Sequence, residues 1–247
     1  MSKLQIIYED QTLLVLHKPC NLHSTSLATS SQASLAQLLL EYLPALAQVS
    51  QRNGEAGLIN RLDFETSGLL VAAKNASTWQ RLRAAIQAGE IRKSYLALLE
   101  GHLSQAFCVN AYIGSPNRRA AKVRVYSKCP AKKQRALPAE SHFQPLAYSP
   151  ELDASVCQVY AASARRHQIR AHAAHSGHCL LGDSLYGSRR ALTSVSAALL
   201  LSECEAPSFI LHAVKIAFTH PETGAALEFQ SPLPDYLAQI FPELGHS

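Results

Sequence analysis

Short β-type segments follow one another along this chain in runs broken by single helical segments, and that order constrains the fold more than any other feature. Leu4–Tyr8 and Thr12–His17 are apolar and β-branched and are separated by Glu9-Asp10-Gln11, the pattern of a hairpin. Ser34–Leu43 carries Leu35, Leu38, Leu39 and Tyr42 at helical spacing. Gly68–Lys74 predicts a strand; after it, Asn75 or Ser77 can cap a helix with Leu82, Ala85 and Ile86 on its apolar face and Gly89 at its end. Lys93–Glu100, Val109–Ile113, Val123–Tyr126, Ser155–Ala161 and Phe209–Thr219 read as further strands. His167–Ser176 reads as a helix stopped by Gly177, and Asp235 as the cap of a last short one. Strict βα alternation is missing, so the pattern predicts an α+β fold: a mixed, largely antiparallel β-sheet flanked by helices and loops. With 247 residues the chain can bury a full core as one large domain or two small ones. No repeat, low-complexity tract or convincing linker divides it, so a single domain over 1–247 is expected.

Charge and cysteine usage narrow the function classes. A hydrophobic share of 47% and a charged share of 17% are those of an ordinary globular protein. No run approaches the roughly 18 apolar residues of a membrane span. The opening Met1-Ser2-Lys3-Leu4-Gln5 lacks the apolar core of a signal peptide, so a cytoplasmic location is expected. Cys20, Cys108, Cys129, Cys157, Cys179 and Cys204 are scattered without a Cys-x-x-Cys pair, which predicts reduced thiols and not a zinc site or disulfide framework. The net charge of +5 says little, but its distribution says more. Between Gly101 and Ala139 there is no acidic residue, while Arg118, Arg119, Lys122, Arg124, Lys128, Lys132, Lys133 and Arg135 fall within eighteen positions. A solvated loop is the ordinary reading of a charge run. One-signed charge repels itself unless a polyanion relieves it, which favours a basic arm or loop at about 115–139 that meets nucleic acid.

Three stretches carry residues suited to chemistry. In Asn60-Arg61-Leu62-Asp63-Phe64-Glu65-Thr66-Ser67-Gly68, one carboxylate ends a loop that feeds into an apolar strand. A turn can hold such a group rigidly, as a nucleophile or base requires, although turn aspartates commonly only bond nearby amides. Arg61 is close enough in sequence to keep Asp63 ionised. In Lys93-Ser94-Tyr95-Leu96-Ala97, alternation puts Lys93, Tyr95 and Ala97 on one face, where Tyr95 is either a core residue or a phenol that meets a base. The third stretch is Arg165-Arg166-His167-Gln168-Ile169-Arg170-Ala171-His172, followed by Gly182-Asp183-Ser184-Leu185-Tyr186-Gly187. Its helix start offers free amides and its arginines suit phosphates. His167, His172, His175 and His178 tempt a metal reading, but helical spacing does not bring four to one ion and no carboxylate or thiolate completes a set, so no metal is expected there.

Together these stretches resemble the RluA-type pseudouridine synthase family. Asn60–Gly68 is similar to its HRLD-x-x-TSG element, Lys93–Ala97 to K-x-Y-x-A, Arg165–His172 to GRTHQIR-x-H, and Gly182–Gly187 to GD-x-x-YG. His17-Lys18-Pro19-Cys20-Asn21-Leu22 stands at the early NKPAGL element. Leu211-His212-Ala213, Phe218–Gly224 and Pro232-Leu233-Pro234 resemble the closing elements, whose expected role is a core strand and a turn. The matches run in family order from Tyr8-Glu9-Asp10 to Pro234, with no N-terminal basic module of the S4 type. Departures cluster near the key residues: Asn60 replaces the histidine of HRLD, and Ala164 and Arg166 replace the glycine and threonine of GRT.

The resemblance implies the pseudouridine synthase fold, as a single catalytic domain, and conversion of specific uridines to pseudouridine in structured ribosomal or transfer RNA. It implies catalytic roles for Asp63, Tyr95 and Arg165, with Arg165 pairing with the aspartate. RNA-binding roles fall on Arg61, Thr66, Lys93, His167, Gln168 and Arg170, joined by Arg118, Arg119 and Lys122 of the basic segment. Isomerisation changes no redox state and transfers no group to another molecule, so no metal or organic cofactor is expected. RNA is the expected partner, a membrane is not, and the default state is a monomer. Two other readings stay open: a noncatalytic RNA-binding or ribosome-assembly protein that keeps the fold, and a carboxylate-dependent hydrolase, which would want a second acid beside Asp63.

Overall fold

The computed structural model describes residues 4–26, 33–117, 120–130, 135–161, 163, 165–192 and 207–246. The chain divides into two compact units: Met1–Arg92 with Ala213–Ser231, and Lys93–His212 with Pro232–Ser247. No helix among the described residues is long and apolar enough to cross a membrane.

In the first unit, β1 (Gln5–Glu9) and β2 (Leu13–Lys18) form the expected hairpin, and β2 pairs antiparallel with β3 (Ser67–Ala73). Strand β9 (Leu211–Thr219) lies beside β3 and pairs antiparallel with β10 (Ala226–Gln230). Asp10 shapes the first hairpin by accepting from Thr12 N, Leu13 N, Thr12 Oγ1 and Tyr8 OH at 2.7 to 2.9 Å. Burial acts to raise the pKa of this carboxyl, yet those four donors outweigh it and hold it well below the usual carboxylate range. His220 Nε2, in the β9–β10 turn, meets Asp10 Oδ2 at 3.0 Å and ties the two hairpin ends together. Helix α1 (Leu35–Tyr42) starts at a capping box in which Ser34 Oγ accepts from Gln37 N and Gln37 Oε1 accepts from Ser34 N. Helix α2 (Ala76–Ala88) is capped by Asn75 and closed by Gly89 at φ 76°, as expected. Its Trp79 and Leu82 join Leu35, Leu39, Leu70 and Val71 in one core.

The second unit orders its strands β4 (Arg92–Glu100), β8 (Ala154–Ala161), β7 (Leu137–Ser149), β5 (Phe107–Gly114) and β6 (Arg124–Tyr126), each pair antiparallel. Helix α3 (Gln168–His175) buries its first six residues. Ala97, Leu99, Phe143, Val159, Ile169 and Phe209 belong to its main core. Helix α4 (Asp235–Ile240) has Pro234 at its N-cap, so Asp235 is its first residue and not its cap. Strand β7, thirteen residues long, was not foreseen. Pro138 and Pro145 lie within it, and a proline demotes a sequence run from strand status. The structure accommodates Pro145 beside a bulge, where the register with β8 slips at Leu146. The α+β class and the largely antiparallel pairing are as the sequence predicted.

Candidate active site

Asp63 sits half-buried on a turn of the first unit that is clamped from both sides. Before it, Ser24 Oγ donates to Leu62 O at 2.8 Å and accepts from Leu62 N at 3.0 Å. After it, Lys18 Nζ donates to Phe64 O at 3.1 Å, and Thr66 N donates to Asp63 O at 3.2 Å. The His23 ring packs on Phe64 with centroids 4.5 Å apart. The turn then enters β3, all seven residues of which are buried. Gly68 is required there: its φ is 110°, and an added Cβ would lie 2.5 Å from Ala213 N.

Lys18 is the residue that the sequence reading quoted without a role. It is fully buried, and its Nζ also donates to Pro19 O at 2.8 Å and Leu22 O at 2.7 Å. Burial pushes its amine down to about 7, while Cys20 and the Asp63 carboxylate pull the other way. Three carbonyl acceptors match the three N–H bonds of an ammonium, whereas a neutral amine has two. The cage therefore fits a positive charge held behind the Asp63 turn. The available signal was a lysine closing the apolar run Leu13-Leu14-Val15-Leu16.

Other predicted residues of this unit are placed differently. Arg61 is exposed, and the buried cation that feels the Asp63 carboxylate in this unit is Lys18. Thr66 is 2% exposed, and its Oγ1 has no hydrogen-bond partner among the described residues. Its backbone amide, not an RNA contact, is its visible contribution to the turn. Asn60 is buried, preceded by Ile59, whose carbonyl accepts from Arg83 at 2.8 Å.

The remaining predicted residues belong to the second unit. Tyr95 is half-buried on β4 and packs against its core, and Lys93 is buried two positions earlier on the same face. Arg165 is half-buried, with Nε donating to Pro138 O at 3.3 Å and its amide to Gln168 Oε1 at 3.2 Å. His167 takes a left-handed conformation, φ 52°, and its Nδ1 meets Tyr186 OH at 3.0 Å. That phenol also accepts from Val123 N at 3.0 Å; burial raises its pKa.

Two residues expected to contact RNA are buried and engaged within the protein. Gln168 is 4% exposed: Oε1 accepts from Ser163 and Arg165, and Nε2 donates to Glu140 O and Ser141 Oγ. An amide so engaged ties the Arg165 backbone to β7. Arg170 is 6% exposed and grips Asp183 through two bonds of 2.6 and 2.8 Å, its guanidinium lying 4.3 Å from the Phe209 ring centroid. The visible role of Arg170 in this unit is a tertiary ion pair. Lys122 is exposed, as an RNA contact requires, while Arg118 and Arg119 lie outside the described residues. Among the four histidines, His172 is fully buried with Nδ1 on Ser141 Oγ at 3.0 Å, and burial, then His175, pushes its pKa down to about 4. His178 packs on Phe107 instead.

Comparison with known proteins places this geometry. The family model for RNA pseudouridylate synthase matches residues 12–175. Ribosomal large subunit pseudouridine synthase D of Pseudomonas aeruginosa is 32% identical over 234 residues, covering 94% of this chain and 69% of that protein. The protein of the same name from Nitrosomonas europaea is 32% identical over 247 residues, covering 99% of this chain and 67% of that protein. Human RNA pseudouridylate synthase domain containing 4 shares the fold, with a TM-score of 0.69 at 19% identity over 97% of this chain and 92% of that one. Human RNA pseudouridylate synthase domain containing 1 does so at 0.67 and 22%, over 94% and 84%. A match that runs from β2 to the end of α3 takes in the Lys18 cage, the Asp63 turn, Tyr95 and Arg165, and with relatives this similar along their length the chain belongs to the RNA pseudouridylate synthase family.

Proposed function

We propose that this protein isomerises specific uridines to pseudouridine in ribosomal RNA, with the Asp63 carboxylate as its essential group. The observation that carries this is the clamped turn: Ser24 fixes Leu62, Lys18 fixes Phe64, and Asp63 stands between them. A carboxylate held from both sides loses little freedom when it meets substrate, which is the condition for efficient attack or proton transfer. The ribosomal substrate is favoured by the names of the relatives.

The target uridine must leave the stack, at a cost of a few kcal/mol that is least in loops and bulges. Exposed Lys122, Arg124 and Lys128 supply backbone contacts that offset it. Asp63 then acts on the ribose or the uracil to release the base, as nucleophile or as base toward the sugar. The freed uracil rotates while bound and rejoins through carbon five, which gives up its proton to solvent as nitrogen one, released from the glycosidic bond, takes one up. In this reading Arg165 and Tyr95 take the catalytic roles that the family resemblance implies, Tyr95 stacking on the uracil. No electron is transferred, and the proton lost from carbon five is matched by the one gained at nitrogen one, so the chemistry balances without a cofactor.

The test is release of tritium from RNA labelled at carbon five of uridine, with ribosomal and transfer RNA taken from cells lacking this protein and assayed separately. Release from ribosomal RNA by the wild type, reduced about 10²–10⁴-fold or more in Asp63→Asn, is expected. Release from transfer RNA alone would overturn the substrate assignment. RNA binding without release from either would support a noncatalytic RNA-binding protein.

A further inference from the structure

Strands β5 and β7 place three metal-ligating side chains on one solvent-facing surface of the second unit. Cys108 lies directly opposite His142 in the antiparallel register, and Glu140 lies two residues from His142, opposite Asn110. Alternation explains the shared face: Cys108 and His142 are exposed and Glu140 half-buried, while Val109, Ser141 and Phe143 between them are buried. We propose that Cys108, Glu140 and His142 bind a divalent transition-metal ion of the zinc type, with solvent in the fourth position.

The donor set argues for the ion's class. A thiolate, an imidazole and a carboxylate together suit zinc and its neighbours, whereas magnesium and calcium take oxygen ligands. The geometry argues for the fit. Cys108 Sγ lies 3.7 Å from Glu140 Oε1 and 3.8 Å from His142 Nε2, and those last two atoms are 2.6 Å apart. A tetrahedral ion with bonds of about 2.3 Å to sulfur and 2.0–2.2 Å to nitrogen and oxygen sets ligand edges of about 3.4–3.6 Å. The two sulfur edges are thus within about 0.3 Å of what the ion needs. Only the His142–Glu140 edge must open, by about 0.8 Å, as the ion takes the place of their hydrogen bond.

Rigidity separates this trio from a chance surface cluster. The ligands stand on two paired strands inside a register that runs unbroken from Phe107↔Phe143 to Ile113↔Leu137. On the far side β7 pairs with β8, where Tyr160 faces His142. Binding therefore needs side-chain rotation without backbone ordering, which keeps its entropic cost low. On ion binding the Cys108 thiol proton passes to solvent and sulfur donates as thiolate. The site lies outside the residues assigned to uridine isomerisation and does not rest on that reading.

The experiment titrates Co²⁺ into metal-free, RNA-free full-length protein and follows thiolate-to-cobalt charge-transfer absorption, with Zn²⁺ as competitor. One Co²⁺ per chain is expected, with a thiolate band that Zn²⁺ abolishes. Cys108→Ser should remove the band, and His142→Ala and Glu140→Gln should weaken binding. His142→Ala should exceed the roughly 10–100-fold that losing a partner outside the coordination sphere costs. All three side chains project from the sheet surface, so unchanged unfolding temperatures should show that the variants fold; Cys129→Ser, at another exposed thiol, is the control and should bind as wild type. Absence of a thiolate band in the wild type, or its persistence in Cys108→Ser, overturns the proposal.

Discussion

Replacing Arg170 separates two roles that sequence and structure assign to it. As a phosphate contact it would contribute to RNA affinity and little to stability. As the partner of Asp183 it should do the reverse. The pair is nearly dry, at 7% and 1% side-chain exposure, with two charge-assisted bonds of 2.6 and 2.8 Å. Bonds to charged groups are worth about 1.5–3 kcal/mol each, and a desolvated guanidinium over an aromatic face adds roughly 2 kcal/mol. Desolvation offsets part of that sum, but Arg170→Met leaves the Asp183 carboxylate buried without the guanidinium, so a net loss of about 3–5 kcal/mol is expected. At about 2–4 °C per kcal/mol for a chain of this size, the unfolding temperature should fall by roughly 6–20 °C. Pairing Arg170→Met with Asp183→Leu should recover part of the loss, giving a coupling energy of up to about 3 kcal/mol in a double-mutant cycle. Chemical denaturation measures the cycle, and RNA affinity as a function of salt is measured well below the unfolding temperature. Stability unchanged within about 1 kcal/mol, together with a salt slope reduced by about 1, would refute the structural role and restore the phosphate contact.

Gly68→Ala should destabilise the first unit by about 2–5 kcal/mol in denaturant unfolding, from backbone strain at φ 110° and collision with Ala213. Asp10→Asn should lower stability at neutral pH by about 1–3 kcal/mol. Because the folded Asp10 pKa lies below its unfolded value, its contribution is present above about pH 4 and lost as pH falls below it. The wild-type advantage over Asp10→Asn should therefore shrink from pH 4 downward in acid unfolding, and a constant advantage would contradict this. Lys122→Ala and Arg124→Ala, both exposed, should each weaken binding to all RNA sequences alike and reduce the salt slope by roughly 0.7–0.9, with no change in unfolding temperature.

Local pattern made most elements legible and tertiary environment hid the rest. The first hairpin, α2 between Asn75 and Gly89, and β8 announce themselves through alternation, caps and glycine, which act over a few residues. Strand β7 does not, because its two prolines read as breakers unless the bulge at Leu146 is known. The burial of Gln168 and Arg170 was hidden for a different reason: polar side chains in a motif read as surface, and only packing shows that Ser141 and Asp183 wait for them inside. Lys18 is the same case in reverse, a charge in an apolar strand whose acceptors come from the following turn and from Phe64 forty-six residues away.

The departures from the family pattern can be weighed by what those positions touch. Arg166, in the threonine's place, is exposed and donates to Ser115 Oγ and Ala120 O, so it binds to the start of the basic segment. Asn60 is buried three residues ahead of Asp63, yet the bonds that fix the turn come from Ser24, Lys18 and Thr66. Desolvating the Lys18 ammonium costs several kcal/mol, which its three carbonyl acceptors offset. The cage of Pro19, Leu22 and Phe64 carbonyls around Lys18 thus holds the Asp63 turn through bonds that involve neither Asn60 nor Arg166.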